Sequence, residues 1–255
     1  MVVSDRRRGI YLLPNLFTTG AMFAGFYAIV AAMNSQYEPA AIAIFVAMIL
    51  DGMDGRIARL TNTQSDFGMQ YDSLSDLASF GLAPALVMYQ WALFDMGKIG
   101  WLAAFIYAAC AALRLARFNT QAKSIDKQFF QGLSSPAAAA VMASTIWLGA
   151  DYGLADGRTL LIFCLPITVL VGILMVSNIR YHSFKQIDLK GRVPFMVIVL
   201  IIAIFAFIAV QPPLMLFGLS VTYAISGPVL TLLTIRKHRA ARHTAEKENT
   251  ETLEN

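Results

Sequence analysis

The chain has 255 residues, 57% of them hydrophobic and 14% charged, with a formal net charge of +4. A soluble domain is about 45–50% apolar and about 25% charged, so this composition excludes a water-soluble enzyme and a disordered protein. The basic balance does not indicate a nucleic-acid binder, because the cations sit where a membrane protein places them.

Apolar segments follow one another at residues 11–33, 39–59, 72–95, 99–120, 134–150, 159–179, 194–211 and 213–235. A helix needs about 20 residues to cross the hydrocarbon core, so the pattern predicts an all-α integral membrane protein with about eight transmembrane helices. The first segment follows Arg6-Arg7-Arg8 and runs on into further spans, which argues against a cleaved secretory signal. Turn chemistry separates the segments at Asn34-Ser35-Gln36, Asp95 to Lys98, Asp151 to Gly157 and Gln211-Pro212-Pro213. If eight helices alternate, all of the 20 Lys and Arg residues except Lys98 and Arg158 fall on one side. Both termini are therefore expected in the cytoplasm. Residues 1–235 read as one polytopic membrane domain and 236–255 as a solvated, frayed cytoplasmic tail. Trp91, Trp101 and Trp147 are expected at membrane interfaces. Cys110 and Cys164 lie inside apolar stretches and suggest no disulfide framework.

Four acids stand out at one end of the second and third segments: Asp51 and Asp54, then Asp72 and Asp76. Spacings of three and four place each pair on one helix face, and the short polar connection from Leu60 to Gln70 lets the faces meet. An ionised Asp at membrane depth costs about 2.5–3.5 kcal/mol on insertion scales, and mutual repulsion adds to that cost unless cations neutralise the group. A single acid near a helix end more often caps the helix or pairs with Arg. Four on two facing helices favour divalent cations, and hard oxygen donors favour Mg²⁺ or Mn²⁺. Gly55, Ala58 and Gly68 interleave with the acids. Small residues in membrane helices usually serve helix packing, but beside Arg59 and a metal pair they read as a slot for a nucleotide diphosphate.

The run Asp51-Gly-Met-Asp54-Gly55-Arg-Ile-Ala58-Arg59, followed by Gly68, Asp72 and Asp76, fits D-x2-D-G-x2-A-R-x8-G-x3-D-x3-D at every fixed position. On these residues the sequence resembles the CDP-alcohol phosphotransferase family. The resemblance implies that family's helical fold, two divalent cations, a homodimer, and transfer of a phosphoryl-linked group from a CDP-linked donor to an alcohol with release of CMP. It implies that Asp51, Asp54 and Asp72 hold one cation and Asp51, Asp72 and Asp76 the other, Asp76 also taking the acceptor hydroxyl's proton. It implies that Gly55, Ala58 and Gly68 accommodate the cytidine, with Arg59 and Ser65 beside the nucleotide and diphosphate. Asn15 and Thr18, in Pro14-Asn-Leu-Phe-Thr18, match a motif that also faces the donor. Without the resemblance, Pro14-Asn15 reads as an ordinary helix start.

Three further stretches resemble the membrane-embedded branch of that family that transfers a phosphatidyl group from CDP-diacylglycerol to L-serine. They are Ala112-Leu-Arg114-Leu-Ala-Arg117-Phe-Asn119, Phe130-Gln-Gly132-Leu-Ser-Ser-Pro136, and Leu174 to Lys185. The chain departs from the branch pattern at Ser134, where a second proline is expected. The residues themselves point the same way, because serine's carboxylate needs a cation and Arg114 and Arg117 lie near the acidic end of the bundle. Both arginines also belong to the topogenic set. Gln131, Gly132 and Ser135 are candidates for further hydrogen bonds to the acceptor. An acceptor such as glycerol 3-phosphate or an inositol phosphate calls for a denser basic pocket. A cation- or proton-coupled transporter calls for polar groups through the midplane and for repeated halves; here the acids cluster at one end and no repeat is visible.

Overall fold

In hydrocarbon a backbone can satisfy its polar groups only within helices or closed barrels, and the apolar segments of this chain are helical. A computed structural model describes residues 5–121, 129–154, 157–182 and 195–253. Helices α1 (Asp5–Met33) and α2 (Tyr37–Leu60) form a hairpin whose turn is made by Ser35 in a left-handed conformation (φ 60°). Next comes a long interrupted rod of α3 (Asp66–Asp76), a π-helical turn (Leu77–Leu82), α4 (Ala83–Met88), a second π turn (Tyr89–Leu93) and a short 3-10 turn (Phe94–Met96). Helix α5 (Lys98–Gln121) leads towards strand β1 (Phe129–Gln131), and α6 (Ser135–Asp151) follows. A 3-10 turn (Gly157–Leu160) opens into α7 (Leu161–Val176), after which strand β2 (Arg180–His182) pairs antiparallel with β1. Helices α8 (Phe195–Val210) and α9 (Pro212–Leu253) complete the described chain.

Among the described residues, four helical stretches are long and apolar enough to cross a membrane: Leu13–Met33, Asp66–Met96, Lys98–Thr120 and Pro212–Thr234. The inside–outside pattern agrees with a lipid solvent. Alanines of α1 (Ala21, Ala24, Ala28, Ala31) and α2 (Ala40, Ala41, Ala47) are buried in the core, while Phe23 and Phe26 are 69% and 63% exposed. Small residues let backbones approach where the hydrophobic effect cannot drive helices together, and the large apolar side chains face outward.

The contact between α1 and the interrupted rod is polar as well as close. Ser75 and Ser79, one turn apart, donate to the carbonyls of Thr18 and Ala21, each at 3.0 Å. Gly25 lies so near the second serine that a Cβ there would stand 2.7 Å from its Cα. The first π turn also has a local cause. Pro84 has no N–H to offer the Phe80 carbonyl, and the fully buried Tyr107 of α5 donates its hydroxyl to that oxygen at 3.0 Å instead.

Several sequence expectations shift. Helix α1 starts at Asp5, so Pro14 lies inside it and does not open it. The third rod starts at Asp66, six residues before the apolar segment, because Ser65 caps it by accepting a bond from the Gly68 N–H at 3.0 Å. Ser134 fills the place of the missing proline as the cap of α6, accepting from the Ala137 N–H at 3.3 Å. Trp91 is 1% exposed and packs against Gly149 and Gly157, so it is a core residue and not an interface anchor, whereas Trp101 is exposed. The backbone of α9 continues as helix to Leu253, where fraying was expected from residue 236; the stretch is rich in Ala, Arg, Lys and Glu, which favour helix. The fold is all-α but for the two-stranded ribbon, which periodicity could not announce at three residues a strand.

Candidate active site

The ends of α2 and α3 bring the four aspartates together. Asp51, Asp72 and Asp76 each place a carboxylate oxygen so that the three lie within 4.8 Å of one another. Asp51 is within hydrogen-bonding reach of Asp76, and Asp54 of Asp72. Asp54 is 6% exposed, and its Oδ2 accepts a 2.6 Å bond from the Thr18 hydroxyl, which also lies 3.1 Å from the Pro14 carbonyl. The bond to the carbonyl one turn back helps fix the rotamer that aims Thr18 at an acid on the next helix.

Carboxylates clustered in this way repel unless a cation or proton lies between them. Asp76 Oδ1 is buried and has no partner in the protein. Hard oxygen donors, this orphaned atom and the 4.8 Å triad together fit a divalent cation. A buried unsatisfied carboxylate oxygen is otherwise costly.

Beside the acids a cleft of about 640 Å³ opens between α1, the end of α2 and the start of α3. All seven residues expected to face the donor line it: Asn15, Thr18, Gly55, Ala58, Arg59, Ser65 and Gly68. Asp54 and Asp72 form its floor on the acidic side, and Thr63, Gln64, Asp66 and Met69 complete it. These last four carried no signal beyond their place in the turn and the first turn of α3. Gly55 decides between the two meanings of small residues. A Cβ there would meet nothing within 4 Å, so its smallness serves no helix contact and leaves the cleft open. Gly68 is tighter, with the Ser65 hydroxyl 3.2 Å and Asn15 Oδ1 3.7 Å from such a Cβ.

On the other side of the acids, Arg114 of α5 lies within electrostatic reach of Asp76. Its Nη1 donates to the buried Ser135 hydroxyl at 3.0 Å, and its Nε is buried without a partner. Arg114 and Ser135 are thus brought to the acids together. Arg117, one turn on, donates from Nη2 to Asn178 Oδ1 at 2.8 Å and ties α5 to the segment after α7. Gly132 has φ +79°, its N–H donates to the Ile179 carbonyl at 2.9 Å, and a Cβ would stand 2.2 Å from the Met175 carbonyl oxygen. Its role is therefore a backbone crossing, which only glycine permits. Gln131 sits opposite Arg180 in the ribbon, and its side chain lies outside the described residues.

Four residues near the site were not singled out from sequence as functional. Ser73, next to Asp72, exchanges side-chain bonds with Asn119 of α5, the amide donating to the serine hydroxyl at 2.9 Å. Asn178 receives Arg117. Tyr181 donates its hydroxyl to the Ala224 carbonyl at 2.9 Å, and burial, with Tyr223 nearby, pushes its phenol up to about 12, so it stays a donor at any working pH. Tyr223 of α9 packs its ring on that of Tyr181. The pairings depend on contacts between segments far apart in the chain, which spacing along the sequence does not encode.

Known proteins are similar to this chain in sequence. The family model described as CDP-alcohol phosphatidyltransferase matches residues 11–174. The chain is 40% identical over 227 residues to the CDP-diacylglycerol–serine O-phosphatidyltransferase of Helicobacter pylori, covering 89% of this chain and 94% of that protein. It is 35% identical over 219 residues to the protein of that name from Mycobacterium bovis, covering 82% and 75%, and 33% identical over 174 residues to that of Bacillus subtilis, covering 68% and 92%. The matched span runs from α1 into α7 and holds the aspartates, the cleft and the Arg114–Ser135 pair, and the chain belongs to the CDP-alcohol phosphatidyltransferase family.

Proposed function

We propose that this chain is a membrane-embedded phosphatidylserine synthase, transferring the phosphatidyl group of CDP-diacylglycerol to the hydroxyl of L-serine and releasing CMP. The observation that carries this is 40% identity, over nearly the full length of both chains, to a protein named for that reaction. The electrostatic pairing of Asp76 with Arg114 supports it, because it sets a cation near an acid cluster whose Asp72 also lines a nucleotide-sized cleft.

Asp51, Asp54 and Asp72 would hold one divalent cation and Asp51, Asp72 and Asp76 a second, Mg²⁺ or Mn²⁺. When bound, such ions neutralise the donor's diphosphate and stabilise the departing CMP. Thr18 fixes Asp54 in its liganding rotamer. Gly55, Ala58 and Gly68 leave room for the cytidine, with Asn15, Thr18, Arg59 and Ser65 about the nucleotide and diphosphate. Asp76 accepts the proton of the serine hydroxyl as that oxygen bonds to the lipid-side phosphorus and the bond from phosphorus to the CMP oxygen breaks. An aspartate is an intrinsically weak base, so its contribution lies in its position next to the reacting oxygen. Arg114 takes the serine carboxylate, with Ser135 holding the guanidinium; Arg117, Gln131 and Gly132 shape the same side.

The same reading places eight spans in the cytoplasmic membrane, with both termini and the site at the cytoplasmic face. Residues 1–235 form one catalytic domain and 236–255 a cytoplasmic tail, and the chain pairs as a homodimer. That depth lets a lipid donor enter from the bilayer while serine arrives from water. Purified protein in detergent with CDP-diacylglycerol, Mg²⁺ or Mn²⁺ and a panel of alcohols tests the reaction through CMP release. Release with serine, and its loss by about 10²–10⁴-fold in Asp76→Asn, is the expected result. Release with glycerol 3-phosphate and none with serine would overturn it.

A further inference from the structure

Asp72 and Asp76 share one face of α3, and a serine anchor stands on either flank of that face. Side chains step round an α-helix by about 100° per residue. Measured from Asp72, Asp76 lies about 40° round, Ser73 about 100° round and Ser75 about 60° the other way, so each serine stands about 80° from the middle of the acidic face. Ser75 donates to the Thr18 carbonyl of α1 at 3.0 Å. Ser73 turns to the other side, towards α5, where the Asn119 amide donates to its hydroxyl at 2.9 Å.

The tie to Asn119 is well defined. Ser73 Oγ lies 2.9 Å from Asn119 Nδ2, 3.3 Å from its Oδ1 and 3.1 Å from the Met69 carbonyl one turn back. The hydroxyl has one hydrogen, so it donates to one of these two carbonyl oxygens and accepts from the amide in either case. Both residues are half-buried. Helix α5 holds the rod at a second level, through Tyr107 on the Phe80 carbonyl, and Asp76 lies between the two levels along the chain. The same helix carries Arg114, which bonds Ser135.

A helix pinned on both flanks is restrained from turning about its own axis, and such a turn would carry both acids off their aim together. We propose that Asn119 is a positioning residue: with Ser73 it fixes the rotation of α3 against α5, and thereby the aim of Asp72 and Asp76, as the counterpart of the Ser75 anchor on α1. Neither member of the pair needs to touch substrate or cation for this. The inference rests on the cation assignment given under Proposed function. Groups that orient liganding side chains matter nearly as much as the ligands, and their removal costs about 10–100-fold in metal affinity or activity.

The test compares the full-length wild type with Ser73→Ala, Asn119→Ala, the double variant and Ser73→Thr in the same detergent. Mn²⁺ binding is followed without substrate through the EPR signal of the free ion, and CMP release with L-serine is measured at saturating Mn²⁺. Each alanine variant is expected to weaken Mn²⁺ binding and to lower kcat by about tenfold, with the KM for serine and the thermal midpoint close to the wild type. The double variant is expected to be no worse than either single one, because both remove the same bond, and Ser73→Thr, which keeps the hydroxyl, to match the wild type. Unchanged Mn²⁺ binding and kcat in the alanine variants overturns the assignment, as does a double variant in which the two losses multiply. A lower thermal midpoint as the only change also overturns it, because that marks a purely structural bond. So does a raised serine KM in Asn119→Ala alone, because that puts Asn119 on the acceptor itself. Failure of the functional reading is distinguishable, since it shows in the wild type alone, as no Mn²⁺ bound or no CMP released with serine.

Discussion

Gly55 separates two explanations that sequence leaves joined. A glycine in a membrane helix commonly admits a neighbouring helix, as Gly25 does, where an added Cβ would stand 2.7 Å from Ser79. Gly55 has no neighbour within 4 Å of that position and faces the cleft. The two substitutions should therefore fail in different ways. Gly55→Ala is expected to leave the thermal midpoint unchanged or higher, since alanine favours helix by about 1 kcal/mol, and Gly55→Leu to raise the KM for CDP-diacylglycerol at least tenfold with the fold intact. A fall in thermal midpoint for Gly55→Ala would restore the packing explanation. The aspartates were the most legible residues, because a spacing of three or four fixes a helix face and nothing but the acids supplies the chemistry. Asn178 was not legible in this way, since its bond from Arg117 joins segments far apart in the chain.

The interrupted rod shows what local pattern can and cannot carry. Its apolar run is readable as one span, and Ser65 is a recognisable cap, but its π turn depends on a donor from α5. Tyr107 supplies that donor to the carbonyl stranded by Pro84. Tyr107→Phe removes this buried hydrogen bond, which costs about 0.5–1.5 kcal/mol. Thermal unfolding in detergent should report that loss, with a reduced kcat as the rod that carries Asp76 loosens and little change in the KM for CDP-diacylglycerol. Wild-type stability in the variant would show that the π turn is set within the rod itself. The ribbon was invisible to pattern for a related reason, since strands of three residues have no period to detect. Trp91 was misplaced because aromatic enrichment at interfaces is a tendency over many residues, whereas Gly149 and Gly157 hollow out a seat for this particular ring.

Across the whole molecule, orientation is the property that charge counting addresses and geometry does not. Single cysteines introduced at Ser35 and at Asn62, both exposed turn residues at opposite ends of α2, provide the measurement in a background lacking Cys110 and Cys164. A membrane-impermeant thiol reagent added to intact cells should label position 35 and spare position 62 until the membrane is opened; the reverse pattern would invert the topology. The order in which the chain emerges from a ribosome adds a consequence. The carboxylates and the cleft beside them are complete once α3 has been made, while Arg114 and Ser135 come later. On the function proposed above, a chain made only to the end of α3 has the donor side of the site and lacks these acceptor-side residues. On that reading the growing polypeptide passes through much of membrane insertion before it can consume the lipid precursor around it.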